Sequence, residues 1–147
     1  MFEEGGKPNK NDRNQNKLSI CKGIQVRLQQ NESLKRLELR FMTLNRQFLK
    51  ALFSGLSKNK TLQKLIITHD VLNNATVAEF HMLGEALKAN TTLLLLDLSH
   101  NSGFNDNMEF HSELTDCLIN CPSSKLQKIR ITAESIDVKA HYLDLID

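Results

Sequence analysis

The sequence predicts an α/β fold, a short curved solenoid with parallel strands on its concave face and helices on its convex face. One apolar pattern occurs four times, as Leu34-x-x-Leu37-x-Leu39, Leu62-x-x-Leu65-x-Ile67, Leu93-x-x-Leu96-x-Leu98 and Leu126-x-x-Ile129-x-Ile131. The first leucines of successive copies are 28, 31 and 33 residues apart. Repeats of this length are typical of solenoids, in which each unit buries its apolar face against its neighbours.

Polar residues dominate the chain before the first repeat. Residues 1–17 contain four Asn, three Lys and one Pro, and this composition predicts a disordered polar tail because little apolar surface is available for burial. In residues 18–30 three apolar residues recur at helical spacing: Cys21, Ile24 and Leu28. We therefore expect a helical cap at the start of one repeat domain that spans residues 18–147.

Each repeat is expected to contain a helix after its strand. Between strands the apolar residues lie three or four positions apart, as in Leu49/Leu52/Leu56, Phe80/Leu83/Leu87 and Leu114/Leu118. Thr76 and Asn107 are of residue types that cap helix N-termini. An Asn stands three residues ahead of the first leucine in three repeats, as Asn31, Asn59 and Asn90. Because one helix follows each strand, successive strands should be parallel.

On these motifs the chain resembles leucine-rich repeat proteins of the ribonuclease-inhibitor-like type, whose unit is LxxLxLxxNxL followed by a helix. The match runs from about Leu18 to Ile136. The Asn that ends the strand motif is present only as Asn101. The other repeats carry Met42, Asp70 and Glu134 there, so irregular turns are expected, with Asp70 as a partial substitute for Asn.

The residues between the leucines are the candidate binding site, because the resemblance implies that they face outward on the concave sheet. They are Arg36, Glu38, Arg40, Lys64, Ile66, Thr68, Leu95, Asp97, Ser99, Lys128, Arg130 and Thr132. Strand spacing places one column as Arg36, Lys64, Leu95 and Lys128, and the next as Glu38, Ile66, Asp97 and Arg130. Exposed Ile66 and Leu95 inside a charged rim would be typical of a protein-binding patch. The alternative is a solvated sheet face on which exposed aliphatic residues have no function.

The predicted function is therefore non-catalytic binding of a protein partner, with an acidic surface, on the concave sheet. Proteins of the family it resembles include enzyme inhibitors, immune sensor regions, actin-capping modules and GTPase activators, which supports binding in general. One alternative is a regulator of a small GTPase. Another is a structural fragment that stacks with further repeats or self-associates, because the C-terminal end is short and apolar: Ile136, Val138, Leu143, Leu145 and Ile146.

Composition and motifs argue against other classes. A formal charge of +2 is too small to indicate nucleic-acid binding, and no apolar segment is long enough to span a membrane. The sequence has no nucleophile with a matching base and no phosphate loop, so neither an enzyme nor a cofactor is expected. Three cysteines suit a reducing, cytoplasmic compartment, and Cys117 and Cys121 are interpreted as buried thiols rather than half of a metal site.

Two histidines are expected to lie in adjacent coils. His69 and His100 occupy equivalent positions after their strands, where stacked imidazoles are able to sense pH or hold a metal. The favoured interpretation is turn chemistry. Four Asn-x-Ser/Thr sequons, at Asn31, Asn59, Asn74 and Asn90, are assigned no glycan because the chain starts without a secretory signal.

Overall fold

Helices and strands alternate along most of the chain in the computed structural model, which describes residues 9–102 and 124–131 in full and residues 135–137 by their backbone. The elements are α1 (Lys10–Gln30), β1 (Arg36–Arg40), α2 (Arg46–Lys58), β2 (Lys64–Thr68), α3 (Val77–Ala89), β3 (Leu95–Asp97), β4 (Lys128–Arg130) and β5 (Ser135–Asp137). The strands form one sheet in sequence order. In the described ranges no helix combines the length and the apolar character that a bilayer span requires.

The parallel register of β1 to β4 is confirmed. Each strand pairs in parallel with the next, and the pairing aligns Leu37, Leu65, Leu96 and Ile129 in one row. Leu65, Leu96 and Ile129 are buried, whereas Leu37 on the edge strand is only partly buried. The repeated leucines therefore share one interior, as their spacing predicts.

The predicted helical stripes supply the other half of the core. Leu49, Leu52 and Leu56 of α2 are buried, as are Phe80, Leu83 and Leu87 of α3, and all six join the strand leucines in one cluster. Leu28 of α1 belongs to the same cluster. The next predicted helix, with its cap Asn107 and the thiols Cys117 and Cys121, lies outside the described residues.

The first helix is longer than the predicted cap. It begins at Lys10, because the Asn9 side chain caps it by accepting hydrogen bonds from the backbone N–H groups of Asn11 and Asp12. The composition places residues 10–17 in the polar tail, whereas the structure places them in α1; residues 1–8 lie outside the described part. Residues 10–20 are all exposed, so this end of the helix is formed without a buried face.

The last strand departs from the predicted pattern. The sequence predicts only parallel strands, but β5 pairs antiparallel with β4 and brings Ile136 opposite Ile129. Only residues 131–134 separate the two strands, which is too short for the helical crossover that a parallel connection needs. The chain must therefore turn back along β4.

Asn59 and Asn90, each three residues ahead of a first leucine, form a buried hydrogen-bonded ladder. The Asn59 amide donates to the carbonyl of Leu28 at 2.7 Å, and its Oδ1 accepts from the backbone N–H of Leu62 at 2.6 Å. Asn90 repeats this one coil later, donating to the Leu56 carbonyl at 2.8 Å and accepting from Leu93 N–H at 2.8 Å. Each Asn thus joins the last turn of the helix one repeat earlier to the start of the strand that follows the Asn.

The hydroxyl two residues after each Asn belongs to the same motif. Thr61 Oγ1 donates to the Asn31 carbonyl at 2.9 Å, and Thr92 Oγ1 donates to the Leu62 carbonyl at 3.1 Å. The sequon pattern at Asn59 and Asn90 therefore has a structural cause, since both the amide and the hydroxyl satisfy backbone carbonyls of the preceding repeat.

A buried carboxylate joins α2 to α3. Glu79 is fully buried, and its carboxylate accepts from Thr76 N–H at 2.9 Å and Thr76 Oγ1 at 2.6 Å, which confirms Thr76 as the helix cap. Arg46 Nε lies 3.1 Å and Lys50 Nζ 3.6 Å from the same carboxylate. Burial alone would raise the pKa of Glu79, but the hydrogen bonds from Thr76 and Arg46 outweigh it and lower the pKa.

Neutralising Glu79 is expected to destabilise the protein at pH 7. Glu79→Gln retains the shape of the cap but loses charge-assisted bonds, so we expect a loss of about 1–2 kcal/mol in the free energy of unfolding, measured in urea. A lowered folded-state pKa means that this contribution is present above the ordinary value of 4.5 and is lost as the pH falls through the folded pKa. The difference between wild type and variant should therefore shrink below that pH.

The matched control is Glu85→Gln, which removes an exposed carboxylate from the same helix. Glu85 pairs with Lys88 at 2.7 Å, and both side chains are exposed, so a change of at most about 0.5 kcal/mol is expected. Equal effects of the two substitutions would contradict the role assigned to Glu79.

Candidate binding face

The residues between the core leucines form the other side of the sheet, which we call the polar face. The strand register aligns Arg36, Lys64, Leu95 and Lys128, which we call the basic column. Arg36 and Lys64 are exposed, while Leu95 and Lys128 are partly exposed. The second predicted row is also aligned, as Glu38, Ile66, Asp97 and Arg130.

At the β1 edge of the polar face, one carboxylate pairs with two arginines. Glu38 Oε2 lies 2.7 Å from Arg36 Nη2, and Arg40 pairs with the other carboxylate oxygen. The hydrogen bond from Arg36 is the main reason that the pKa of Glu38 is lowered, and the charge of Arg40 adds to it. Because these pairs are exposed, they organise the surface more than they stabilise the fold.

A second ion pair on the polar face joins Asp97 of β3 to Arg130 of β4. Arg130 Nη1 lies 3.3 Å from Asp97 Oδ2, while Asp97 Oδ1 accepts from the N–H of Ser99 at 3.0 Å and from its hydroxyl at 2.6 Å. Asp97 is 7% exposed. This carboxylate is therefore satisfied within the protein.

Two cations of the basic column have no such partner. Within residues 9–102 and 124–131, neither Lys64 nor Lys128 forms an ion pair. Leu95 lies between them in the register. The accessible centre of the polar face thus consists of two uncompensated ammonium groups on either side of an aliphatic side chain.

Several residues predicted to be exposed on this face are buried. Ile66 is only 5% exposed, and Thr68 and Ser99 are 2% and 4% exposed. These residues are buried because β2 and β3 each lie between two strands, so side chains of both neighbouring strands cover them. Residues on the edge strand β1 have a neighbouring strand on one side only. The expected apolar centre of Ile66 and Leu95 is therefore wrong for Ile66. Thr132 lies outside the described residues.

A stack of three rings lies at the carboxyl end of the sheet, and the sequence predicts two of its members. His69 and His100 are stacked with centroids 4.8 Å apart, which confirms that these equivalent positions after β2 and β3 lie side by side. Phe41 extends the stack, with its ring 4.2 Å from that of His69. Phe41 precedes His69 by 28 residues, the same spacing as the leucines, and this periodicity would have revealed it. The ring spacing follows from the distance of about 4.8 Å between parallel strands.

The backbone beneath the stack is left-handed. Phe41, His69 and His100 have φ values of 54°, 59° and 60°, and Asp70 has 66°. Such values are uncommon for residues other than glycine. Asn101 fulfils the predicted turn role, since its amide donates to the carbonyls of Ile67 and Leu98, both at 2.8 Å. Asp70 substitutes in a different way, by accepting hydrogen bonds from Ser102 of the next repeat.

A shallow cavity of about 650 Å³ opens beside the stack. Its lining combines aromatic, apolar and polar side chains: Phe41, Met42, Thr43, His69, Asp70, His100 and Ser102. Phe41 is 77% exposed and Met42 46%. The described residues therefore include two candidate sites, the basic column and this cavity at the ends of the strands.

A scan against protein-family models and a search of curated proteins found no match to this chain. The geometry of the two sites is therefore the basis for a functional proposal.

Proposed function

We propose that this chain is a short curved solenoid of the leucine-rich-repeat kind and that it acts without catalysis, by binding a partner protein on its polar face. The partner surface is acidic. The observation that carries the proposal is the pair of uncompensated cations, Lys64 and Lys128, around the partly exposed Leu95. Opposite charges across an interface accelerate association and set its register, while a central apolar contact supplies desolvation energy.

The arrangement of the remaining charges supports the same proposal. Arg36 and Arg130 are already held by carboxylates of the polar face, so their side chains are oriented before a partner arrives. A preorganised surface loses less side-chain entropy on binding. A partner carboxylate placed near Lys64 or Lys128 would meet a free ammonium group beside arginines whose side chains are already oriented.

A protein fits this face better than a nucleic acid. Single-stranded nucleic acids bind through aromatic side chains on which bases stack, and the chain contains one Tyr and no Trp. Within the described residues, the stack-forming Phe41 lies at the strand ends and not on the basic column. We therefore expect Asp and Glu side chains, rather than phosphates, against the column.

The test is affinity capture followed by mass spectrometry. We expect the wild-type chain to retain at least one protein whose recovery is lost when Arg36, Lys64 and Lys128 are all replaced by Glu, because the reversed column repels an acidic surface. Recovery should also decline as salt rises, since exposed charges are screened over about 8 Å at 0.15 M ionic strength.

The matched control replaces two exposed lysines away from the polar face, Lys22 on α1 and Lys58 on α2, by Glu. Proteins bound by the basic column should remain with this control. If every captured protein stays bound to the column variant at full strength, the proposal is wrong.

A further inference from the structure

The ring stack at the strand ends has features that the basic column lacks. Its cavity is lined by aromatic rings and one carboxylate, and no Lys or Arg is among the lining residues. Among the residues that the structure describes, no cation pairs with Asp70. An accessible carboxylate beside exposed aromatic surface is complementary to a cation.

The Asp70 carboxylate is held in place by the neighbouring coil. Its Oδ1 accepts from the N–H of Ser102 at 3.2 Å and from the Ser102 hydroxyl at 2.9 Å, and its own N–H donates to the His100 carbonyl at 3.0 Å. The backbone bond from Ser102 is the main reason that the pKa of Asp70 is lowered, with the hydroxyl bond second. The group is therefore charged at neutral pH and exposed to solvent.

The aromatic part of the site is also fixed. Phe41 rests on His69, and His69 rests on His100 with the two ring planes 21° apart, while His69 Nδ1 lies 3.0 Å from Thr68 Oγ1. The three stacked residues and Asp70 all have positive φ. Such conformations cost free energy and persist only where many surrounding contacts enforce them. They are common at ligand sites.

We propose that this cavity binds a guanidinium group, the side chain of an arginine on a partner protein, which stacks on the exposed ring of Phe41 and pairs with the carboxylate of Asp70. Arginine fits better than lysine because its planar group stacks on rings and offers paired N–H donors to a carboxylate. This site is separate from the basic column, and its proposed arginine binding does not depend on the function proposed for the column.

The experiment uses N-acetyl-arginine-N-methylamide as the probe and the imidazole C–H signals of the full chain in NMR spectra as the readout. We expect saturable shifts at His69 and His100, with His81 on α3 much less affected. The citrulline analogue, which has the same shape without charge, should produce none. Asp70→Asn should weaken binding about fivefold or more, and Phe41→Leu about threefold or more, because each removes one of the two contacts.

Asp12→Asn is the matched control, since it removes an exposed carboxylate from α1, and its affinity for the probe should equal that of wild type. Asp70→Asn retains the oxygen that accepts from Ser102, so it is expected to keep the fold. The proposal is overturned if no saturable shift occurs up to about 100 mM probe, where a millimolar site is filled. It is also overturned if citrulline or inorganic phosphate binds as well as arginine, or if Asp70→Asn has no effect.

Discussion

Replacing Asn90 by Ala is expected to remove about 3–4 kcal/mol from the free energy of unfolding. Asn90 is 2% exposed, and its amide group donates to two backbone carbonyls, those of Leu56 and Asn59. Its Oδ1 accepts from the backbone N–H groups of Thr92 and Leu93. Alanine would leave these groups buried without partners, and each unsatisfied group costs about 1–3 kcal/mol, not fully additively.

The measurement is urea denaturation at pH 7, supported by the melting temperature, which should fall by roughly 10 °C for a chain of this size. Asn90→Asp separates the two halves of the side chain, because it keeps the acceptor and loses the donors, and it should be at least as damaging. Asn73→Ala, at an exposed Asn, is the control and should change stability by less than about 0.5 kcal/mol. A loss below about 1 kcal/mol for Asn90→Ala would show that the ladder does not hold the coils together.

Truncation of Leu96 should mainly reduce the stability of the protein, whereas truncation of its neighbour Leu95 should mainly reduce partner binding. Leu96 has no exposed surface and lies in the row with Leu37, Leu65 and Ile129, so Leu96→Ala should cost about 3–4 kcal/mol through lost burial and a residual cavity. Leu95 is partly exposed on the polar face, so Leu95→Ala should cost about 1 kcal/mol or less.

Binding is expected to reverse this order. Leu95→Ala removes the aliphatic contact between Lys64 and Lys128 and should weaken capture of the partner, while Leu96→Ala should leave the affinity of the folded fraction unchanged. Urea denaturation together with capture of the folded protein distinguishes the two effects. Equal stability losses for the two variants would contradict the assignment of these leucines to opposite faces.

The repeats allowed the parallel strands and the helices between the first three of them to be predicted. Strand register follows from apolar residues at a fixed spacing, and Leu37, Leu65 and Leu96 were predicted to share a row for that reason. Helix positions follow from stripes such as Leu49, Leu52 and Leu56. These features are periodic in the sequence, and periodic patterns survive local variation.

Features that depend on neighbours across the sheet were harder to predict. The burial of Ile66 and Thr68 follows from flanking strands on both sides, which alternation along a single strand does not reveal. The early start of α1 depends on one capping residue, Asn9, in an otherwise polar segment. The antiparallel direction of β5 follows from a connection length, and the residues of that connection carry no strong pattern.

The candidate sites show the same division. The basic column was predicted because each member occupies the same repeat position, whereas its charge balance required distances. Among the described residues, Arg36 is paired with a carboxylate, while Lys64 and Lys128 are not. The ring stack was predicted at His69 and His100 but not at Phe41. Phe41 occupies the equivalent position of the first repeat, but it is a different residue type from the two histidines, so a comparison by residue type does not reveal it.

The dissociation constant of a captured partner, measured for wild type and for the Lys64→Glu, Lys128→Glu double variant, tests the central claim most directly. The two unpaired cations should each contribute a charge-assisted contact, so we expect weakening of at least about 30-fold at 0.15 M salt. The Lys22→Glu, Lys58→Glu variant should stay within about twofold of wild type, because its charges lie off the polar face. A double variant that binds within about twofold of wild type would contradict the claim that the polar face binds the partner.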